Sequence, residues 1–161
     1  MSGQAYPVKE LITQAVVAAL EEITLLNGYE TDGVTVVRPR RTGERFTPQA
    51  NGIAVLQADE SRDAESDFPG NPGATAWRLP ISCDLVVRLS ETDARPMDQV
   101  LNLFEADVRR ALAVDPQFGG LAIDSDLGDS EYSSPSDGME GLTVWLHVQY
   151  RTDAKDPYTS R

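Results

Sequence analysis

WRLPISCDLVVRL, residues 77–89, is apolar at every second position: Trp77, Leu79, Ile81, Cys83, Leu85, Val87 and Leu89. Between them stand Arg78, Pro80, Ser82, Asp84, Val86 and Arg88. A period of two sustained over this length marks a strand with one face against a core and the other toward solvent. Sheets built from such strands are antiparallel or mixed, because a parallel strand covered on both faces reads as apolar throughout. Pro80 has no N–H to give to a ladder, so it predicts an edge position or a bulge in the first part of the strand.

The last strand repeats the pattern. Leu142, Val144, Leu146, Val148 and Tyr150 share one face, and Thr143, Trp145, His147, Gln149 and Arg151 share the other. Shorter strands are predicted at Val34–Val37, at Ile53–Leu56 and from Leu121–Ile123. Two stretches have helical spacing instead. Val8, Leu11, Ile12, Ala15, Val16, Ala19, Leu20 and Ile23 predict a helix over 7–26, with Pro7 in its first turn and Gly28 as a left-handed cap. Met97, Val100, Leu101, Phe104, Val108, Ala111 and Leu112 predict a second over 96–113, with Arg109 and Arg110 at its negative end. The Pro- and Gly-bearing segment RPRRTGERFTPQANG reads as a hairpin-like excursion between two strands. The order α-β-β-β-α-β-β implies an α+β fold: a two-layer sandwich, its mostly antiparallel sheet covered on one face by two amphipathic helices. The chain reads as one domain, 1–161, with an exposed loop at 59–76, an acidic loop at 124–141 and an extended C-terminal arm at 152–161.

Composition narrows the function. The chain has 161 residues, enough for folding to bury about 70% of the unfolded surface without disulfides. Fourteen Lys and Arg against 26 Asp and Glu leave a net charge of −12. That balance disfavours gripping nucleic acid or anionic lipid, both of which require clustered cations. Cys83 is the only cysteine and His147 the only histidine, so an internal disulfide, a multi-cysteine zinc site and a two-histidine metal site are excluded. No apolar run approaches the ~20 residues of a membrane span, and MSGQAYPVKE lacks the plan of a signal peptide. The chain reads as intracellular, or as part of something assembled inside a cell.

Chemistry finds little footing. Neither a phosphate-binding glycine loop nor a G-x-S-x-G elbow is present. Asp124, Asp126, Gly128, Asp129 and Glu131 resemble the start of a calcium loop, but the glycine comes one place early and Pro135 holds the position of the closing Glu. A solvated acidic loop is the better reading. His147 reads as a surface or interface residue, and Cys83 as a buried, inert thiol. The expectation is a protein that is not an enzyme and carries no cofactor or metal.

Charge distribution says more than total charge. Arg38, Arg40, Arg41 and Arg45 cluster with only Glu44 against them. Asp59, Glu60, Asp63, Glu65 and Asp67 face one base, Arg62, and Asp124, Asp126, Asp129, Glu131, Asp137 and Glu140 face none. Solvated loops carry charge in this way, but so does a subunit whose basic patch meets a neighbour's acidic patch head to tail, a contact that closes into rings. Trp145 on a polar strand face supports a partner surface or lies beneath the 59–76 loop.

The layout resembles the tail terminator and tail-completion (head–tail joining) proteins of tailed bacteriophages. The resemblance rests on the leading helix ending in Gly28-Tyr29, the Val34–Val37 strand with its RPRR sequel, the strand at 77–89, the helix ending in DPQFGG, and the last strand running into VQYRTDAKDPY. It implies a structural virion protein of the neck, assembled in the host cytoplasm. Such a protein forms a homo-oligomeric ring, commonly a hexamer, that caps the tail tube and stops its polymerisation. It then joins the tail to the head connector. The implied partners are other copies, the tail tube protein, and the head–tail connector or head-closure protein. DNA passes through the ring without specific binding, and no membrane is involved. On this reading Arg38, Arg40, Arg41, Arg45, Trp145, Tyr150 and Arg151 are candidate inter-subunit or inter-ring contacts. The candidate lumen-facing acids are Asp59, Glu60, Asp63, Glu65, Asp67, Asp124, Asp126, Asp129 and Glu131, since a negative lumen repels phosphate. The alternatives are another neck component (a head-closure protein or tail-completion adaptor), a small acidic adaptor that mimics nucleic acid, and last an unrecognised hydrolase.

Overall fold

The computed structural model describes residues 5–41, 44, 46–48, 50–136 and 138–161, without the side chains of Pro135 and Ser136. Two helices, α1 (Val8–Glu21) and α2 (Met97–Ala113), accompany seven strands. The strands are β1 (Val34–Val37), β2 (Asn51–Gln57), β3 (Ser61–Arg62), β4 (Ala74–Val87), β5 (Asp124–Ser136), β6 (Met139–Asp153) and β7 (Asp156–Ser160). They form one sheet in the order β1-β2-β4-β6-β5, with β3 paired to β4 and β7 to β6. Every pairing is antiparallel except β1 with β2. The chain is therefore an α+β two-layer sandwich with a mostly antiparallel sheet.

Alternation along β4 and β6 fixes which face meets the helices. Ile53, Val55, Leu79, Ile81, Cys83, Leu85, Leu142, Val144, Leu146 and Val148 pack in one cluster with Val8, Ile12, Val16 and Leu20 of α1 and Leu101, Phe104, Val108 and Leu112 of α2. α1 ends earlier than its apolar period predicts. Its last full turn closes at Glu22, and Leu25–Asn27 form a separate tight turn capped by Gly28 at φ 82°. The Thr24 hydroxyl accepts the Asn27 N–H at 3.3 Å, a local bond that competes with helix continuation. α2 begins after Pro96, as its spacing predicts.

Five local expectations are corrected. The 38–50 segment is no hairpin, because β1 and β2 run parallel and need a crossover of about a dozen residues. Phe46 and Pro48 from this crossover lie over Gly52, where a Cβ would collide with the Phe46 ring. Pro80 sits in a central strand, not at an edge. Its carbonyl accepts the Ala58 N–H at 2.9 Å, so its missing N–H points to the same side, where the chain breaks between β2 and β3 and needs no donor. Residues 124–136 are strand β5, not an acidic loop, because β6 offers a partner along most of their length. The C-terminal arm folds back as β7 in a hairpin with β6, and strand structure within the expected 59–76 loop appears at β3 and from Ala74.

Candidate functional site

The sheet's second face carries the polar residues of β4, β5 and β6 in register. Arg78 stands opposite Gln149 and then Asp124; Pro80 opposite His147 and then Asp126; Asp84 opposite Thr143 and then Glu131. Two segments cover parts of this face. The crossover lies over Gly52, and residues 63–68 are pinned over the Gln149 end.

Asp63 does the pinning. It is nearly buried, and its carboxylate accepts Gln149 Nε2 at 2.8 Å and Arg78 Nε at 3.3 Å. The Ser66 hydroxyl, followed by the Arg78 charge and the Gln149 amide, holds this carboxyl below its usual range. Asp67 accepts the Ala76 N–H at 2.8 Å and Arg62 Nη2 at 2.6 Å, which lowers it as well. Arg151 donates to the Ser66 carbonyl at 2.9 Å and lies 4.5 Å over the Phe68 ring. Next to this staple, Arg78, Asp124, Ser125, Asp126, His147 and Gln149 line an open cleft of about 260 Å³. His147 is exposed there, and among the described residues no side-chain hydrogen bond ties it to a carboxylate. Its ring packs on the β5 bulge, where a Cβ at Gly128 would come within 2.9 Å of Nε2. The would-be calcium ligands alternate along a strand, and among the described residues no three His, Cys, Asp or Glu side chains gather closely enough to hold a metal.

The candidate contacts divide into engaged and free groups. Tyr150 is buried on the core face, and its hydroxyl donates to Glu60 at 2.6 Å, so it offers no contact surface. Arg38 forms a bidentate pair with Glu10 at 2.6 and 3.1 Å. Arg40 and Arg41 are exposed beside the end of β2, around a hollow shared with Val55, Leu56 and Gln57. Trp145 is half-buried on the second face. Arg45 and Asp137 lie outside the described residues.

The candidate lumen acids divide in the same way. Glu60 accepts from Lys9 and Tyr150, and with Asp63 and Asp67 it is engaged in internal contacts. Asp59 and Glu65 are exposed, as are Asp124, Asp126, Asp129 and Glu131 along β5.

No protein-family model matches the chain, and no curated protein matches its sequence. Among the described residues no helix is long and apolar enough to cross a membrane.

Sequence reasoning missed a second feature, a hollow of about 510 Å³ between the helices lined by Ala15, Ala18, Ala19, Ala111, Tyr29 and Phe118. Val114 also lines it, at 77% exposure. The signal was present in the run of alanines on α1, too small to fill the space between two helices. Burial makes Cys83 inert: together with the charge of Asp84 it pushes the thiol up to about 12.

Proposed function

We propose that this chain is a ring-forming tail terminator of a tailed bacteriophage, which caps the tail tube and joins it to the head connector. One observation carries the reading. Four exposed acids, Asp124, Asp126, Asp129 and Glu131, stand on one sheet-edge strand, β5, and the exposed arginines Arg40 and Arg41 follow the opposite edge, β1. A subunit with unlike, complementary edges suits head-to-tail assembly, the only kind that closes into a ring above a dimer by one repeated contact. Asp124, Asp126 and Glu131 lie on the face away from the helices, where a ring with its helices outward would present them to passing DNA and repel it.

Electron microscopy tests this. The expected result is a six-fold ring at the junction of tube and head in the assembled particle, with the chain detected in purified virions by mass spectrometry. Particles without the chain, or a ring whose density does not fit this fold, would refute it. The acidic edge also suits an adaptor that binds a basic protein, and a stable monomer in solution that captures such a protein would favour that reading.

A further inference from the structure

Both outer edges of the sheet are open. Among the described residues, neither β1 nor β5 makes a backbone ladder on its outer side. On β5, among the described residues, side chains occupy two such groups: the Gly128 carbonyl accepts Arg109 Nη2 at 3.1 Å, and Asp124 Oδ1 accepts the Ser125 N–H at 2.9 Å. An open edge is a template for another strand. β5 is irregular between Leu127 and Ser130 and again after Ser133, but Ser130–Ser133 pair regularly with Val144–Gly141. In the middle of that stretch Tyr132 is 65% exposed.

Charge decides which strand the edge takes. A second β5 brings Asp124, Asp126, Asp129 and Glu131 only further acids and no cation, whereas the continuation of β1 carries the exposed Arg40 and Arg41. Unlike edges place opposite charges together, and like charges directly across strands destabilise. Direction decides the orientation. β1, β2 and β6 run one way, β4 and β5 the other. A neighbour related by rotation about an axis along the strands therefore brings its β1 antiparallel to β5. The segment after Val37 then continues toward the start of β5, where Asp124, Asp126 and Asp129 stand. A parallel junction would carry the arginines toward Ser133 and Pro135, away from every one of these acids.

We propose that the occupant of the β5 edge is β1 of a second copy of this chain, added antiparallel over Ser130–Ser133, with Arg40 and Arg41 across from Asp124–Asp129. Val34 and Val36 share the helix-side face with Ile53, and Tyr132 shares it with Leu142, so the junction covers the exposed tyrosine with β-branched side chains. Thr35 meets Glu131 or Ser133 on the other face.

Disulfide trapping tests the junction in the full chain. Thr35→Cys is combined with Glu131→Cys or with Ser133→Cys; all three positions are exposed, and the native Cys83 is buried. Within one chain β1 and β5 are four strand spacings apart, about 19 Å, so these pairs cannot close internally, as a disulfide needs Cα atoms within about 7 Å. At high protein concentration under mild oxidation, one of the double variants is expected to give a ladder of covalent oligomers, and each single variant to stay monomeric on a non-reducing gel. Adding Arg40→Glu and Arg41→Glu should cut the ladder at least tenfold, and further adding Asp124→Lys and Asp126→Lys should restore it.

Monomer from both double variants overturns the junction, as do dimers from the single variants in equal yield, which would mean like edges pairing. The result separates from the tail reading. A ladder from a chain missing from virions keeps the junction and removes the terminator, whereas six-fold rings without a ladder keep the terminator and remove the junction.

Discussion

Asp107 ties the approach to β1, and its removal is the most informative single change to the fold. It sits on the buried face of α2 at 3% exposure. Its carboxylate accepts the Glu30 N–H at 3.1 and 3.3 Å and the Thr31 N–H at 2.8 Å. These two amides belong to the link between the Gly28 turn and β1, and no regular element supplies them with acceptors. A hydrogen bond to a charged group contributes about 1.5–3 kcal/mol net. Two donors in a partly exposed link put Asp107→Ala at the low end, a loss of about 3 kcal/mol. Asp107→Asn keeps one carbonyl acceptor and should lose about half as much. For a domain of this size, 1 kcal/mol corresponds to roughly 2–4 °C, so the alanine variant should melt roughly 6–12 °C lower. Urea unfolding followed by the fluorescence of Trp77 and Trp145 measures the loss as a shift of midpoint at unchanged slope. A loss within the ±0.5 kcal/mol of ordinary surface changes would refute the reasoning. Equal losses for the two variants would also refute it, since packing and not hydrogen bonding would then be at stake.

Other outcomes follow from the same geometry. Burial, only partly offset by the Thr143 hydroxyl at 2.8 Å, raises the Asp84 carboxyl above its ordinary range. An acid raised in the folded state stabilises fully below its unfolded pKa and loses that stability as pH rises through the folded one. Asp84→Asn should therefore stabilise the chain at neutral pH, with the gain vanishing below the usual carboxylate range, as a urea series against pH would show. Gly73→Ala should cost about 1–3 kcal/mol, because its Cβ would come within 2.9 Å of the Phe68 carbonyl, which is backbone. Gly128→Ala crowds the exposed His147 ring, with the Trp145 carbonyl at an ordinary 3.6 Å, and should cost little; a larger loss at Gly128 than at Gly73 contradicts this. Cys83 should resist alkylation in the native chain and react once in urea, and comparable rates in the two states would argue against its burial.

The residues that declared the fold were those whose pattern is their own. β4 and β6 alternate without help, and α2 pairs its period with Pro96 at the start, so fold class and core face were legible. β5 was hidden because DSDLGDSEYSSPS is rich in the residues that strands disfavour, and it becomes a strand only because β6 presents a partner along most of its length. A signal was available: Ser136 pairs with Met139 across Asp137-Gly138, a dipeptide favoured in tight hairpins, and Gly138 has φ 69°. The division of the acids was illegible for another reason. Glu60, Asp63 and Asp67 differ from Asp59 and Glu65 only in what folds against them, namely Lys9, Tyr150, Arg78, Gln149 and Arg62. These partners lie up to 90 positions away, and no local pattern marks them.

That division changes what the net charge of −12 means. An acid that accepts from a buried amide or an arginine contributes to cohesion, and its field is largely cancelled by its partner. Among the described residues the exposed acids of β5 form no ion pair, the exposed Arg40 and Arg41 have only Glu44 beside them, and the two groups stand at opposite edges of one sheet. The chain is therefore bipolar as well as acidic. Between exposed charges this attraction reaches about 8–10 Å at physiological ionic strength and about 3 Å at 1 M salt. It acts mainly on the encounter of two edges and adds less once they are joined. Joined edges are held by backbone hydrogen bonds and the cover over Tyr132, which salt screens far less. Salt should thus slow association of copies much more than it speeds their separation. Stopped-flow dilution and mixing at low and high salt would show the asymmetry, and an equal change in both rates would mean that the charged edges do not meet.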